Sequence, residues 1–543
     1  MAKKRRPQSD PTKKPFTPET LDRTIIAIPL LDKIAKDGLH KPQDVIIDLN
    51  LEYPKGREEA RKEVWRWIDA LSGVTKTFEK RAESISPGNQ GVNPTKSKYS
   101  QQYLFGRLSG KNIRALAKRN EEDRKGKDER GSGGSAIYRI WLDHEVSRFT
   151  NQSISTVKAD AARNAFGALG KGVVWAVVDT GVDHEHPHFR LHKNLEIGAP
   201  LQHRDFTGTG RESDDKSAKQ ACTDKAGHGT HVAGIIAGEF TATNENRIIA
   251  TVRQRNESGN PTTETIEDIE KISGMAPQCK ILSLKVLDDA GKGLSSNLIA
   301  ALEYIQDLNG NGRRIRIHGV NMSVGYDFEP EWFACGQSPL CVEVDRLVRS
   351  GVVVVVAAGN TGYGYNQSFY NGPVPAGQDL TINDPGNADL AITVGSTHRD
   401  MPHIYGVSYF SSKGPTGDGR LKPDIVAPGE KIISCQSGQA GAEGEVASPG
   451  TSKPALRAGG ARRSKRPAAS NVTSAHYKED SGTSMAAPHV SGVIAAFLSV
   501  RREFIGKPEA VKDIFLSTAT DLKRTVYFQG KGLVDLMRAI QSV

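Results

Sequence analysis

The stretch Val173-Val174-Trp175-Ala176-Val177-Val178-Asp179-Thr180-Gly181 indicates how the larger part of this chain folds. It joins an uninterrupted apolar run, rich in valine, to a carboxylate and a glycine turn. A run that is apolar on both faces is typical of a central strand in a parallel sheet covered by helices. Asp179 follows the run directly. We therefore expect its carboxylate at the carboxyl end of the strand, where α/β sheets place their ligands.

The chain beyond this strand repeats the pattern. Apolar runs of strand length, rich in β-branched residues, recur at Ile281–Val286, Ile315–Val320, Val352–Ala357 and Leu390–Val394. Helix-like stretches lie between them at Thr230–Gly238, Ser295–Asp307 and Val342–Ser350, and Met485–Val500 is typical of a buried helix. The alternation of strands and helices predicts an α/β fold around a central, mostly parallel sheet.

Two polar segments interrupt this pattern and are predicted to be insertions. Residues 239–273 carry weak helical character. Residues 436–480 are rich in Gly, Ala, Ser, Pro and basic side chains. Such a composition does not bury enough apolar area to fold alone, so we expect disorder in the second insertion.

Two further motifs carry the residue types needed for nucleophilic catalysis. Small residues surround His228 in Gly227-His228-Gly229 and lead into a helix, and Ser484 likewise begins a helix after Gly482. A serine hydroxyl is a poor nucleophile at neutral pH. It needs a base to take its proton, and the base needs a group that fixes its tautomer. Ser484, His228 and Asp179 have the right chemistry for those three roles.

The three motifs together resemble a known family. VVDTGVD at 177–183, GHGTHVAG at 227–234 and GTSMAAPHV at 482–490 resemble, in order and without a gap, the catalytic motifs of the subtilase family of serine proteases. The resemblance runs from about Ser153 to Val543, apart from the insertions. It implies a three-layer subtilisin-like α/β fold and a serine endopeptidase that works on protein or peptide substrates through an acyl-enzyme. It also implies a catalytic triad of Asp179, His228 and Ser484, with no cofactor needed for catalysis.

The same resemblance suggests the residues that surround the reacting bond. Asn360 would donate its side-chain amide to the oxyanion, joined by the backbone N–H of Ser484. The substrate would be bound by residues Ser323, Val324, Gly325, Ala357, Ala358 and Gly359, with Gly291 and Gly293 on the other edge. Because most of these side chains are small, the pocket for the residue before the cleaved bond is expected to be roomy and apolar.

The region ahead of the catalytic domain has a different pattern. Strand-like and helix-like stretches alternate over residues 41–149 at Asp44–Tyr53, Gly56–Leu71, Gln102–Leu108, Lys111–Asn120 and Ala136–Leu142, with one more strand near Thr75–Arg81. This order predicts a small α+β, ferredoxin-like domain. It resembles the inhibitory propeptide of subtilases, which implies a self-inhibited, self-processing zymogen cut near Phe149–Asn151. The catalytic domain would then span residues 150–543.

The net charge and the N-terminal sequence indicate where the protein is located and what it binds. The chain has 543 residues and a net charge of +10, part of it in a basic flexible tail over residues 1–40 and in the cluster Lys453–Arg466. Solvated segments explain these clusters better than a nucleic-acid site, although a nucleic-acid-associated protein and an inactive subtilase scaffold are the competing readings. The N-terminus is not a secretory signal and no membrane-spanning run is present. We expect a cytoplasmic protein, or a secreted one if the N-terminus is incomplete.

Three other features of the sequence give weaker evidence about metal binding and disulfide bonds. His184, His186 and His188 are close together, but no cysteine pattern accompanies them and no metal site is assigned. Residues 307–312 begin like a calcium loop but lack the closing acid, so a helix-ending turn is favoured. Structural calcium occurs in many subtilases, and its ligands are unknown here. The five cysteines are mostly scattered; Cys335 and Cys341 are close enough in sequence to pair.

Overall fold

The computed structural model describes residues 25–72, 90–98, 100–125, 134–143, 153–208, 213–255, 261–327, 334–368, 372–438 and 474–543. The chain divides into two compact units. One comprises Met1–Val146 with Asn164–Gly167, and the other comprises Ser147–Arg163 with Ala168–Val543.

The first unit is a small α+β domain built on a four-stranded antiparallel sheet. Its strands, in spatial order, are Gly91–Val92, Tyr103–Ser109, Pro42–Leu49 and Ile137–Leu142. The helices Arg57–Ser72 and Gly110–Lys125 connect them and pack on each other. Strand Pro42–Leu49 alternates buried and more exposed residues, as expected for a sheet with one face in the core. The ferredoxin-like order predicted from the sequence is present, while the strand expected near Thr75–Arg81 lies outside the described residues.

One prediction for this unit is wrong. Residues 1–40 were expected to be a flexible tail, but Ile28–Asp37 forms a helix. Its Leu30 and Ile34 are fully buried, together with Ile26, in the core of the unit. Leu30 and Ile34 are spaced four residues apart, so they lie on one face of the helix and bury together, while Ile26 precedes the helix and bridges to Ile140. Residues 1–24 lie outside the described part of the chain.

The second unit is built on a seven-stranded sheet in which every pair of neighbours is parallel. The strands, in spatial order, are Ile425–Pro428, Ile392–Thr397, Val353–Ala357, Gly319–Met322, Val174–Asp179, Lys280–Lys285 and Arg204–Asp205. All carboxyl ends of a parallel sheet lie along one edge. The sheet therefore brings Asp179, the residues after Met322 and the residues after Ala357 to the same side of the molecule.

Helices cover both faces of this sheet and give the three layers that the sequence predicts. Ser295–Leu308 and Pro339–Arg349 pack together on one face, in a core cluster with Ala176 and Val178. The helices His228–Ile236 and Thr483–Val500 pack on each other and on the sheet. Smaller helices are Ser153–Thr156, Ala159–Phe166, Asp214–Ala221, Pro402–Tyr405, Pro508–Thr518, Val526–Gln529 and Leu536–Gln541.

The helix Thr483–Val500 is long and apolar enough to cross a membrane by length and composition alone. In this fold, 83% of it is buried. It is therefore a core helix, and its apolar surface is used to fix the position of Ser484 at its first turn.

The first insertion was predicted to have weak helical character, and that prediction is wrong. It contains the strands Glu239–Thr241, Ile248–Arg255, Pro261–Ile266 and Lys271–Ser273. Ile248, Ala250 and Val252 are buried in alternation along the longest of them. That period of two, combined with a pairing partner elsewhere in the chain, outweighs local helical propensity.

The partner strand comes from the second insertion, where we expected disorder through to residue 480. Ala475–Asp480 instead pairs with Ile248–Arg255 on one side and with Ile432–Cys435 on the other. This four-stranded sheet fixes the last six residues of the insertion. The chain therefore runs from an ordered strand into Ser484. Residues 439–473, including the basic cluster, lie outside the described residues.

Candidate active site

The carboxylate of Asp179 is buried at the carboxyl end of strand Val174–Asp179. Its Oδ1 accepts a hydrogen bond from the backbone N–H of Thr180 at 2.8 Å and lies 2.7 Å from Nδ1 of His228. A charged acceptor at Nδ1 holds the proton there and leaves Nε2 free to act as a base. The structure thus brings together two of the three predicted triad residues.

Asp224 fastens the loop of the carboxylate to the loop of the histidine. This buried side chain accepts hydrogen bonds from the Thr180 hydroxyl at 2.8 Å, the Gly227 backbone at 2.7 Å and the Thr230 backbone at 2.8 Å. The last two are N–H groups at the start of the helix His228–Ile236, which would otherwise lack acceptors. Sequence reasoning missed Asp224. The sequence feature that could have identified it is an acidic residue four positions before His228, the residue that begins the helix.

Gly229 shows why a glycine follows the histidine. A Cβ atom placed on it would lie 2.1 Å from the carbonyl oxygen of Gly181. Any side chain would therefore separate the two loops and break the hydrogen bond from the Gly229 N–H to the Thr180 hydroxyl, which is 2.9 Å long. The glycine permits the close approach on which the His228–Asp179 contact depends.

The pKa of His228 is raised above its ordinary value. Burial, the largest single influence, would lower it because burial disfavours the imidazolium, but the nearby carboxylates together outweigh burial, chiefly Asp179 through its charge and its hydrogen bond. Asp480 and Asp224 add to the same effect. The neighbouring His231 behaves differently. It is fully buried, its Nε2 faces the carbonyl oxygens of Ile432 and Lys478, and burial lowers its pKa to about 4.

Ser484 lies in the first turn of the helix Thr483–Val500. Its hydroxyl donates to the carbonyl oxygen of Ser323 at 3.0 Å, and the Ser323 hydroxyl donates back to the Ser484 carbonyl at 2.9 Å. The Ser484 hydroxyl is thus turned toward Ser323. Among the described residues, it makes no hydrogen bond to His228. A rotation about the Cα–Cβ bond redirects such a hydroxyl, and contacts of this kind commonly tighten only when substrate binds.

The amide of Asn360 is held in one orientation by Thr483. Its Oδ1 accepts from the Thr483 backbone N–H at 2.9 Å and from the Thr483 hydroxyl at 3.1 Å. Nδ2 is left to donate elsewhere and lies beside Gly482: a Cβ on that glycine would be 3.4 Å from Nδ2 and 3.7 Å from the backbone nitrogen of Ser484. Two N–H groups, the Asn360 side-chain amide and the Ser484 backbone amide, therefore lie beside Gly482. Sequence reasoning missed Thr483, whose buried hydroxyl also accepts from the Gly359 N–H at 3.2 Å.

The predicted substrate-binding segments follow neighbouring strands of the sheet. Ser323–Gly325 comes directly after strand Gly319–Met322, and Ala357–Gly359 ends the adjacent strand Val353–Ala357 and continues it. Gly291 and Gly293 lie in a turn beyond strand Lys280–Lys285, where the backbone N–H of Asp288 donates to the Lys292 carbonyl at 2.7 Å. Because Lys285 is the register partner of Asp179, this turn leaves the sheet beside the Asp179 carboxylate.

Comparison with known proteins identifies the family. The model of the Subtilase family matches residues 170–532. The chain belongs to the subtilase family. This subtilase is 30% identical to the serine protease AprX of Bacillus subtilis over 71% of the chain and 70% of AprX. It is 26% identical to subtilisin E of Bacillus subtilis over 88% of the chain and 98% of that protein. It is also 31% identical to pyrolysin of Pyrococcus furiosus over 58% of the chain and 21% of pyrolysin. It is accordingly a subtilisin-like serine endopeptidase.

The three histidines that lie close together in the sequence have separate partners. His184 Nδ1 lies 2.9 Å from the Cys222 carbonyl, His186 Nε2 lies 2.8 Å from the His476 carbonyl, and His188 Nδ1 lies 3.1 Å from the Tyr477 hydroxyl. Among the described residues, no group of three or more His, Cys, Asp or Glu side chains is arranged to hold a metal ion. All five cysteines are free, so Cys335 and Cys341 do not pair.

The cytoplasmic location stays a prediction.

Asp480 offers a test of the electrostatics of the subtilase site. It ends the strand Ala475–Asp480, and its Oδ1 accepts from the Ser481 N–H at 2.8 Å. The Asp480→Asn variant removes a negative charge that raises the pKa of His228. Only neutral His228 accepts a proton, so activity appears as pH rises through this pKa. We expect the acid limb of the kcat/KM profile to move to lower pH in the variant.

The measurement is a kcat/KM profile of wild type and Asp480→Asn between about pH 4 and pH 9, a range that brackets histidine titration. Asp513→Asn serves as the matched control, because Asp513 is an exposed carboxylate on the helix Pro508–Thr518. An acid limb that moves to higher pH, or that moves equally in the control, would contradict the argument.

Proposed function

We propose that this subtilase hydrolyses internal peptide bonds with Ser484 as nucleophile, His228 as general base and acid, Asp179 as the group that orients His228, and Asn360 as oxyanion donor. The observation that carries these roles is the 2.7 Å contact between His228 and Asp179. The oriented Asn360 amide beside the Ser484 backbone nitrogen gives further support. Together they provide a polarised base at His228 and two N–H donors near the backbone of Ser484.

The steps follow from those positions. His228 Nε2 takes the proton of Ser484 as the oxygen attacks the peptide carbonyl. The oxyanion then accepts hydrogen bonds from Asn360 Nδ2 and from the Ser484 N–H, where preorganised donors lower the barrier because they need no reorientation. The imidazolium, stabilised by Asp179, gives its proton to the leaving amine. Water hydrolyses the acyl-enzyme by the same route in reverse order.

We also propose that the first unit is an inhibitory propeptide and that the protein is made as a self-processing zymogen. Three observations support this. The unit has its own hydrophobic core and a ferredoxin-like strand order. Its main part ends at Val146, just before the predicted junction. The match to subtilisin E covers 88% of the chain, more than the region from residue 170 onward contains, so it extends into this unit. The junction at Phe149–Asn151 lies outside the described residues.

The experiment that tests both proposals compares the purified full chain with its Ser484→Ala variant by intact mass spectrometry and by labelling with a fluorophosphonate. The wild type is expected to show a cut near residue 150 and one covalent adduct on Ser484. The variant is expected to show neither. Ser517→Ala, an exposed serine on the helix Pro508–Thr518, is the matched control and should behave like the wild type.

The outcomes separate the two proposals. A labelled but uncut wild type would reject self-processing and leave the catalytic roles intact. A wild type without an adduct after proteolytic removal of the first unit would reject the catalytic roles and favour an inactive scaffold that keeps the fold. A cut that also appears in Ser484→Ala would show that another protease makes it.

A further inference from the structure

A cavity of about 310 Å³ lies against the four-stranded sheet that the two insertions form with strand Ile432–Cys435. Its apolar lining consists of Val252, Ile266 and Ile433. The strand pairing places these three side chains on the same face of the sheet as Glu479, because paired residues and alternate residues along a strand share a face. An apolar surface and a carboxylate therefore line one cavity.

The side chain of Glu479 is buried in this cavity without a hydrogen bond. Only 8% of it is exposed. In the part of the chain that the structure describes, its one polar contact is with Arg399, whose Nη1 lies 3.9 Å from Glu479 Oε2. That distance is too long for a hydrogen bond. Buried carboxylates are ordinarily paired and hydrogen-bonded, because an unsatisfied buried charge is costly. The Glu479 carboxylate therefore lacks a donor, and the cavity gives access to it.

Arg399 brings the opposite charge to the same cavity. Its carbonyl accepts from the Thr156 hydroxyl at 2.6 Å, and its Nη1 donates to the Lys431 carbonyl at 2.9 Å. Among the described residues, the latter is the only hydrogen bond of the guanidinium, and its Nε has no partner. A guanidinium carries five N–H donors, so several remain for a carboxylate, which it binds in a fork geometry. The exposed Lys431 also lines the cavity.

We propose that this cavity binds a small zwitterion, an α-amino acid with an apolar side chain. The ligand's ammonium donates to Glu479, its carboxylate accepts from Arg399, and its side chain packs on the apolar lining. A simple anion would leave Glu479 without a donor, and a simple cation would be repelled by Arg399 and Lys431. A molecule that carries both charges and an apolar body satisfies the whole lining. The cavity volume is at the lower end for ligand pockets, as a ligand of this size requires.

The cavity is connected to the segment that leads to Ser484. Glu479 belongs to the strand Ala475–Asp480, which ends just ahead of that serine. The backbone N–H of Lys431 donates to the hydroxyl of Ser481 at 2.9 Å. A ligand that binds the folded chain at Glu479 stabilises this strand. We therefore expect the bound amino acid to slow backbone hydrogen exchange in Ala475–Asp480.

The binding test uses the full-length Ser484→Ala chain, so that self-digestion does not consume the sample. Calorimetry compares L-leucine with three relatives: N-acetyl-L-leucine, which lacks the cation, L-leucinamide, which lacks the carboxylate, and glycine, which lacks the apolar side chain. We expect a Kd below about 1 mM for L-leucine, a modest affinity for a ligand of this size. Each relative should bind at least about 10-fold more weakly, the effect of losing a charged hydrogen bond or a buried apolar side chain.

Two variants in the same background assign the charges. Glu479→Gln keeps the volume, so it should weaken L-leucine about 10-fold or more and leave N-acetyl-L-leucine unchanged. Arg399→Gln should weaken L-leucine by a similar factor and leave L-leucinamide unchanged. Retention of one ligand in each variant shows that the chain is still folded. Glu245→Gln is the matched control, because Glu245 is exposed in the first insertion, and it should bind all four ligands as the parent chain does.

The contrary outcomes are equally specific. Absence of L-leucine binding at about 10 mM, ten times the expected limit on Kd, would overturn the inference. Equal binding of N-acetyl-L-leucine would make this an anion site, and equal binding of L-leucinamide would make it a cation site; either result rejects the zwitterion. L-leucine affinity that is unchanged in Glu479→Gln would place the ligand elsewhere. Because every arm uses a chain without the Ser484 hydroxyl, none of these results bears on the proposed function.

Discussion

Ser484→Ala is expected to lower kcat for peptide hydrolysis about a million-fold, the size of the loss when a subtilisin loses its nucleophile. The reason is that the acyl-enzyme route needs the Ser484 oxygen, and without that oxygen no covalent intermediate forms. Some acceleration over water should survive, because the Asn360 amide and the Ser484 N–H remain and still stabilise an oxyanion. The residual rate therefore reports the oxyanion donors together with substrate binding.

The measurement is single-turnover hydrolysis of an internally quenched peptide by variant purified free of host proteases. The fold should be unchanged, since the Ser484 hydroxyl makes its hydrogen bond to the Ser323 carbonyl on a half-buried surface. Thermal unfolding of the variant beside Ser517→Ala controls for this. Residual kcat above about one per cent of the wild type, at an unchanged melting temperature, would mean that another group is the nucleophile, because loss of the nucleophile costs far more than that.

Asp179→Asn is expected to lower kcat about 10⁴-fold, as the equivalent change does in a serine protease of another fold. Asp179 Oδ1 accepts both from the Thr180 N–H and from His228 Nδ1. An amide in its place keeps the shape but loses the charge that stabilises the imidazolium, and it presents an N–H₂ group that favours the wrong tautomer. The charge and hydrogen bond of Asp179 are also the largest influences that raise the pKa of His228. Any residual activity should therefore have its acid limb at lower pH.

The decisive comparison is between kcat and KM. Because Asp179 is buried behind His228, the loss should fall on kcat with little change in KM. Asp513→Asn, the exposed control, should leave both unchanged. A loss that appears mainly in KM would assign Asp179 to substrate binding and would contradict its role beside the histidine.

The fold could be predicted from local patterns wherever the pattern and the tertiary contacts agree. Continuous apolar runs such as Val173–Val178 belong to the central strands, because a strand that is buried on both faces carries apolar residues at consecutive positions. The patterns failed where a strand's partner is distant in sequence. Ile248–Arg255 pairs with Ala475–Asp480, more than 200 residues away by number, and neither segment alone shows why it is extended. The helix Ile28–Asp37 was missed because the basic residues before it dominated the composition.

For the site, the short motifs predict the residue types: a serine, a histidine and a carboxylate, each close to glycines. The contacts that hold these side chains in place are seen only in the folded chain. Asp224 joins two loops, and Thr483 fixes the Asn360 amide. Reactive side chains lie in short sequence motifs. Their hydrogen-bond partners depend on contacts between segments that are far apart in the chain. The strand that begins at Val174 therefore predicts where Asp179 lies, and the fold decides what it can do there.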